Sequence, residues 1–158
     1  MASRYIPAAG RVGSTRKYDR SIAVTMREEH WRPLLRARVL SDVPADGHVV
    51  DVGAGTGTLA ITLAADRPDV TVTGIDGDPE ILALAQAKHA AGRVHWRNGL
   101  ADALPLDSAC ADAVVTSLVL HHLDWDTKGR TLQEIARVLR PGGRLHICLL
   151  YTSPSPRD

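Results

Sequence analysis

A carboxylate two residues ahead of a glycine-rich loop is the first arrangement in this sequence that could do chemistry. It is Asp51 in VVDVGAGTGTLAI, residues 49–61, followed by glycines at 53, 55 and 57. Glycines let a backbone turn sharply and approach a ligand with no Cβ in the way. The dinucleotide fingerprint is G-x-G-x-x-G, with a helix N-terminus aimed at a pyrophosphate. Here the spacing is G-x-G-x-G. Asp51 would repel a pyrophosphate but suits a cationic ligand part, such as an amino-acid ammonium or a sulfonium. A second carboxylate, Asp76 in GIDGDPE, stands where an acid can accept both hydroxyls of a ribose. That role would serve NAD equally, so Asp76 indicates an adenine nucleoside without separating the cofactors. Together, adenosine at Asp76 and a positive amino-acid tail near Asp51 describe S-adenosylmethionine.

The elements that must position these groups follow from periodicity. Residues 28–40 carry Trp31, Leu34, Leu35 and Val39 near helical spacing, and DVPADG (42–47) is a turn. HVVDVG reads as a first strand and TGTLAITLAADRP as a helix ended by Pro68. VTVTGID (70–76) alternates β-branched residues and reads as a second strand. Asp78 can cap the next helix, with Pro79 at its first position. RVHWRN is a third strand, ADAVVTSLVL a fourth, and HHLDW a short helical turn. Over Thr127–Arg140 the residues Leu132, Ile135, Ala136 and Leu139 form one apolar helical stripe. RPGG then stops that helix, and RLHICLL begins a fifth strand. Alternating strands and helices with short links imply an α/β, three-layer, mostly parallel sheet.

Composition narrows the function classes. The chain has 158 residues, 44% hydrophobic and 23% charged, with formal net charge +1, which suits one domain and gives no general reason to expect nucleic acid. Residues 1–38 hold nine Arg/Lys against three acids, so the remainder is net negative by five. The basic segment reads as a flexible arm, with only a faint likeness to a transit peptide. Two cysteines, Cys110 and Cys148, cannot build a disulfide framework and suit a cytoplasmic location. No apolar stretch approaches the roughly 20 residues of a membrane span. The run HHLDWD offers His121, His122, Asp124 and Asp126. Adjacent histidines point in different directions on a helix or strand, and no third cluster complements them, so no metal is expected. His121 or His122 could act as a general base, although HHL could equally pack against the cofactor loop. Trp31 and Trp96 read as core or groove lining.

Five segments in order, VVDVGAGTG, GIDGDPEIL, NGLADALPLD, ADAVVTSLVLHHL and LQEIARVLRPGGRL, resemble the successive motifs of class I, Rossmann-like S-adenosylmethionine-dependent methyltransferases. The nearest subgroup is the ubiquinone/menaquinone-biosynthesis type, and the resemblance covers about residues 18–147. It implies a sheet ordered 3-2-1-4-5 and methyl transfer to a small-molecule acceptor by in-line displacement. Asp51, Gly53, Ala54 and Gly55 would face the methionine part, Asp76 the ribose, and Gly77 and Asp78 the adenosine. The family often has an acid after the glycine of NGL. Here that position is Leu100, so adenine would rest on Leu100 and Ala101 through backbone and apolar contacts. Ser117 and Leu118 would flank the sulfonium, and Tyr18 in KYDR resembles a residue that closes over the cofactor.

Residues 1–41 are therefore expected as arm and helix, 42–147 as the cofactor-binding core, and 148–158 as a non-native tail. That tail, ending in SPSPRD, resembles one reading frame of a sequencing-library adapter. The family fold would continue with two further strands, so the chain is expected to be an incomplete fragment. The alternatives are an NAD-dependent oxidoreductase and a non-catalytic S-adenosylmethionine-binding module. A nucleic-acid methyltransferase ranks below both, because only the arm is basic. The oligomeric state and the acceptor are not legible.

Overall fold

The computed structural model describes residues 28–88 and 92–149. Five parallel strands form one sheet: β1 (His48–Val52), β2 (Thr71–Asp76), β3 (Val94–Asn98), β4 (Ala111–Ser117) and β5 (Leu139–Cys148). Their order is β3-β2-β1-β4-β5, as the sequence implies. Between them run α1 (Glu28–Ser41), α2 (Thr58–Asp66), α3 (Pro79–Lys88) and α4 (Trp125–Val138).

The alternation of side chains along each strand builds two cores. Val49 of β1, Val72 of β2 and Val115 of β4 face α1 and α2, packing with Val39, Leu59 and Leu63. Val50, Val52, Ile75 and Val114 face the other way and meet Ile135 and Val138 of α4. Each such fully buried aliphatic side chain contributes about 1.5–3 kcal/mol. Strand order reverses between β1 and β4, and the crevice at their carboxyl ends is where such sheets bind ligands.

Three boundaries depart from the sequence reading. β4 ends at Ser117 rather than Leu120, because Leu118 takes a left-handed φ of 60° and its N–H donates to the Cys148 carbonyl at 2.9 Å. A 3-10 turn, Leu120–His122, follows. α4 starts at Trp125, capped by the Asp124 carboxylate, which accepts the Thr127 N–H at 2.8 Å. Its buried residues are Thr131, Ile135 and Val138, whereas Leu132 and Ala136 of the expected stripe are exposed. β5 begins at Leu139 and takes in RPGG. Leu139 pairs with Ala111 across a bulge, Arg140 bonds Asp112, and Gly142 (φ 82°) absorbs the bend. Pro141 is tolerated because β5 is an edge strand.

Candidate functional site

The glycine loop leaves β1 as Val52–Gly53 and is tied to the neighbouring strand. The N–H groups of Gly53 and Ala54 both donate to the Ile75 carbonyl, at 2.8 and 2.9 Å. Those two amides hold the loop rather than point to a ligand. The three glycines do different jobs. Gly53 (φ 74°) lets Val119 approach so closely that an added Cβ would lie 2.2 Å from Val119 Cγ2. Thus the loop after β4 rests on the loop after β1. At Gly55 (φ 56°) an added Cβ would meet nothing within 4 Å, so this residue faces open space. Gly57 (φ 81°) makes room for Trp96, whose Cη2 would lie 2.3 Å from a Cβ there. Trp96 also covers Gly74 and so is core, as one of its two readings had it.

Asp51 sits in β1 opposite Gly74 of β2 and Val115 of β4, on the face covered by α1 and α2. It is 1% exposed, and neither carboxylate oxygen accepts a hydrogen bond from a side chain of a described residue. Burial is the largest influence and pushes its pKa up to about 7. The Arg32 guanidinium on α1 opposes that shift, the Asp76 charge adds to it, and hydrogen bonding from the Ala60 backbone N–H lowers it. A buried carboxylate with no side-chain donor is costly to keep ionised unless something cationic comes to it.

Asp76, at the end of β2, bridges two loops. Its Oδ2 accepts the Gly55 N–H at 2.8 Å and its Oδ1 the Asp78 N–H at 3.0 Å. Burial raises its pKa, against the lowering effect of the amides of Asp78, Gly55 and Gly77. Each oxygen retains a lone pair for a further donor. Asp78 caps α3, accepting the Glu80 N–H at 2.9 Å, and Gly77 lies between the two acids. Leu100 and Ala101 are half-buried in the turn after β3, where the Leu100 carbonyl accepts the Ala103 N–H at 3.1 Å. Ser117 ends β4 and Leu118 follows it, beside the strand that carries the glycine loop.

The residues expected from the sequence thus lie at or just beyond the carboxyl ends of β1, β2, β3 and β4, and Tyr18 lies outside the described residues. The histidines are a correction. Rather than pointing apart, the rings of His121 and His122 meet with centroids 3.9 Å apart, both exposed. Burial, then the His122 and Lys128 charges, lower the His121 pKa. Among the described residues no three His, Cys, Asp or Glu side chains come together to hold a metal.

Arg32 is the functional candidate that sequence reasoning missed. It had a signal: it stands three residues before Leu35 and seven before Val39, a cation in line with the apolar face of its helix.

Comparison with known proteins completes the picture. A family model described as a methyltransferase domain matches residues 49–143. The ubiquinone/menaquinone biosynthesis C-methyltransferase UbiE of Rubrivivax gelatinosus is 38% identical over 111 residues, 70% of this chain and 42% of that protein. The demethylmenaquinone methyltransferase of Lactiplantibacillus plantarum is 34% identical over 163 residues, 98% of this chain and 67% of that protein. Among solved structures, the YcgJ protein of Bacillus subtilis matches with a TM-score of 0.66 and 25% identity, over 75% of this chain and 50% of that one. The chain spans about half the length of several curated relatives it matches, 42%, 50% and 53% in three of them. The family model removes the dinucleotide oxidoreductase alternative. With the ordered motifs, the 3-2-1-4-5 sheet and these relatives in agreement, the chain belongs to the class I, Rossmann-like S-adenosylmethionine-dependent methyltransferases of the ubiquinone/menaquinone type.

Proposed function

We propose that this chain binds S-adenosylmethionine in the crevice between β1 and β4 and serves methyl transfer to a small-molecule acceptor. The carrying observation is Asp51, a buried carboxylate with no side-chain hydrogen-bond donor among the described residues, directly behind a glycine loop whose Gly55 side is open. The donor set fits the cofactor. Asp51 offers negative charge to the ammonium, Asp76 offers lone pairs to the ribose hydroxyls, and Gly55 leaves room for close approach. Leu100 and Ala101 would hold the adenine edge, with Gly77 and Asp78 beside it and Ser117 and Leu118 near the sulfur.

The cofactor supplies an activated methyl group on a sulfonium, whose departure needs no protonation. The chain's own part is then orientation and exclusion of water. Val119 seated on Gly53 fixes the loop after β4 against the loop after β1, so the two walls keep one spacing. Asp76 locks Gly55 and Asp78 in place through its two backbone bonds. An exposed His121, its pKa lowered, is neutral near pH 7 and could accept a proton from an acceptor hydroxyl. Relatives named for ubiquinone and menaquinone biosynthesis make a quinol-type aromatic the first acceptor to try. The reading takes 42–147 as the cofactor core, places the protein in the cytoplasm on the strength of its two free cysteines, and includes no nucleic-acid substrate. No helix among the described residues is long and apolar enough to cross a membrane.

Isothermal titration of the chain with S-adenosylhomocysteine tests this. Stoichiometric binding, absent with NADH, is expected; binding of NADH alone would overturn it. Binding with no turnover on any quinol or phenol acceptor would favour a non-catalytic binding module.

A further inference from the structure

Leu100 and Ala101, read above as the adenine wall, open a four-residue turn, Leu100–Ala103, closed by the Ala103 N–H donating to the Leu100 carbonyl at 3.1 Å. A turn reads a ligand edge only if something holds its peptide groups in one direction. The third residue supplies that hold. Arg130 of α4 donates from both Nε and Nη2 to Asp102 Oδ2, at 3.0 and 2.9 Å. Among the described residues this is the only hydrogen-bonded link from the turn to another element. The guanidinium is itself prepared: its Nη2 donates to Thr127 Oγ1 at 2.8 Å, and that hydroxyl donates to the Asp124 carboxylate at 3.0 Å. Asp124, Thr127 and Arg130 stand three residues apart from the N-cap of α4 onward. An arginine fork oriented in advance loses little freedom on pairing. The turn hangs between two fixed ends. Before it, the Gly99 N–H donates to the Asp76 carbonyl at 3.1 Å. After it, the Leu104 N–H donates to Glu134 Oε2 at 2.8 Å, and Arg137 donates to the Leu104 and Leu106 carbonyls at 3.1 and 2.8 Å. Those ties hold the loop with or without Asp102, whereas the direction of the turn depends on it.

We propose that Arg130 is a positioning residue for base recognition, holding the Leu100–Ala103 turn through Asp102 so that its peptide groups present one donor and acceptor pattern to the adenine edge, a role that rests on the cofactor reading above. Position 100 carries no acid, so the base is left to backbone groups, and only the orientation of the turn sets their direction. A peptide plane that rotates puts a C=O where an N–H stood. An unanchored turn therefore also accepts hypoxanthine, which presents a carbonyl and a ring N–H where adenine presents an amino group and a bare ring nitrogen. The ion pair is partly exposed, 37% at Arg130 and 16% at Asp102, so it adds little to overall stability. Its effect falls on selectivity.

Calorimetric titration of the full chain with S-adenosylhomocysteine and with S-inosylhomocysteine tests this. Wild type prefers the adenine compound by roughly ten-fold or more, the worth of one hydrogen bond left unmade. Arg130→Met lowers that preference to about two- to three-fold, while its melting temperature stays within about 4 °C of wild type. Asp102→Ala behaves in the same way, and the exchange of Asp102→Arg with Arg130→Asp restores part of the preference. Arg36→Met removes the ion pair between Arg36 and Asp66 on α1 and α2 and leaves the preference unchanged. Equal weakening of both ligands in Arg130→Met, with the preference intact, would show a merely structural role and overturn the inference. Equal binding of the two ligands by wild type would overturn it as well. Failure of wild type to bind S-adenosylhomocysteine, with a cooperative melt, would instead overturn the cofactor reading. If Arg130→Met does not melt cooperatively, Asp102→Ala decides: an intact preference overturns the inference and a reduced one supports it.

Discussion

Replacing Asp51 by Asn should make the unliganded protein more stable at neutral pH than at acid pH, relative to wild type. The carboxyl's pKa goes from 3.8 in the unfolded chain to about 7 in the folded one. The folded value is the higher, so the unfolded chain releases its proton first. Wild-type stability therefore falls as pH rises from about 4 and levels off above about 7. Three units correspond to about 4 kcal/mol in total, of which about 2.5 kcal/mol develops between pH 5 and pH 8. Asn cannot ionise and removes this contribution. Other groups shift on folding too: His48, His121 and His146 are lowered and Asp76 is raised, while Asp112 and Glu134 are lowered and ionise below this window. All but Asp76, which faces the Asp51 charge, contribute equally to both proteins and cancel in the difference. Urea unfolding of both at pH 5 and pH 8 reads it directly. A stability difference that grows by about 2.5 kcal/mol toward pH 8 is expected. A difference constant to within about 0.5 kcal/mol would refute the reasoning, because Asp51 would then be solvated or already paired.

Three further predictions separate packing from binding in the glycine loop. Gly53→Ala meets both a φ of 74° and the Val119 methyl, so denaturant unfolding should show a loss of about 3 kcal/mol. Val119→Ala in the same chain should recover part of it. Gly55→Ala meets only the strain of φ 56° with no neighbour. It should cost about 1 kcal/mol of stability yet weaken S-adenosylhomocysteine binding at least ten-fold in calorimetry. Asp76→Asn sets an amide against one of the two backbone N–H groups it now accepts. It should lower the melting temperature and weaken binding by roughly ten-fold or more, since bonds to a charged acceptor are worth about 1.5–3 kcal/mol.

What could be read in the sequence was whatever depends on local pattern. Strands β1 and β2 and the cap at Asp78 follow from alternation and turn residues, and the strand order from the family resemblance of the ordered motifs. Features set by long-range contact were hidden. The apolar stripe of α4 named the helix but mistook its buried face, because Thr131 meets the core where Leu132 was expected. RPGG looked like a stop signal, yet pairing of Leu139 with Ala111 and the Arg140–Asp112 bond draw it into β5. Among the glycines, identical residue types serve a loop-to-loop packing (Gly53), an open face (Gly55) and an indole (Gly57). Spacing alone cannot tell these apart. Asp76 was legible as a ligand group, but its clamp on Gly55 comes from a partner 21 residues away. The histidine rings meet within the 3-10 turn, a local geometry that residue order alone does not specify.

The central claim is that Asp51 makes this a site for a cationic amino-acid tail. Competition calorimetry with S-adenosylhomocysteine and an analogue lacking its amino group tests that most directly, in wild type and in Asp51→Asn at pH 7.5. The account predicts a preference of ten-fold or more for the amine in wild type, lost in Asp51→Asn. Equal affinity of wild type for both ligands would contradict it.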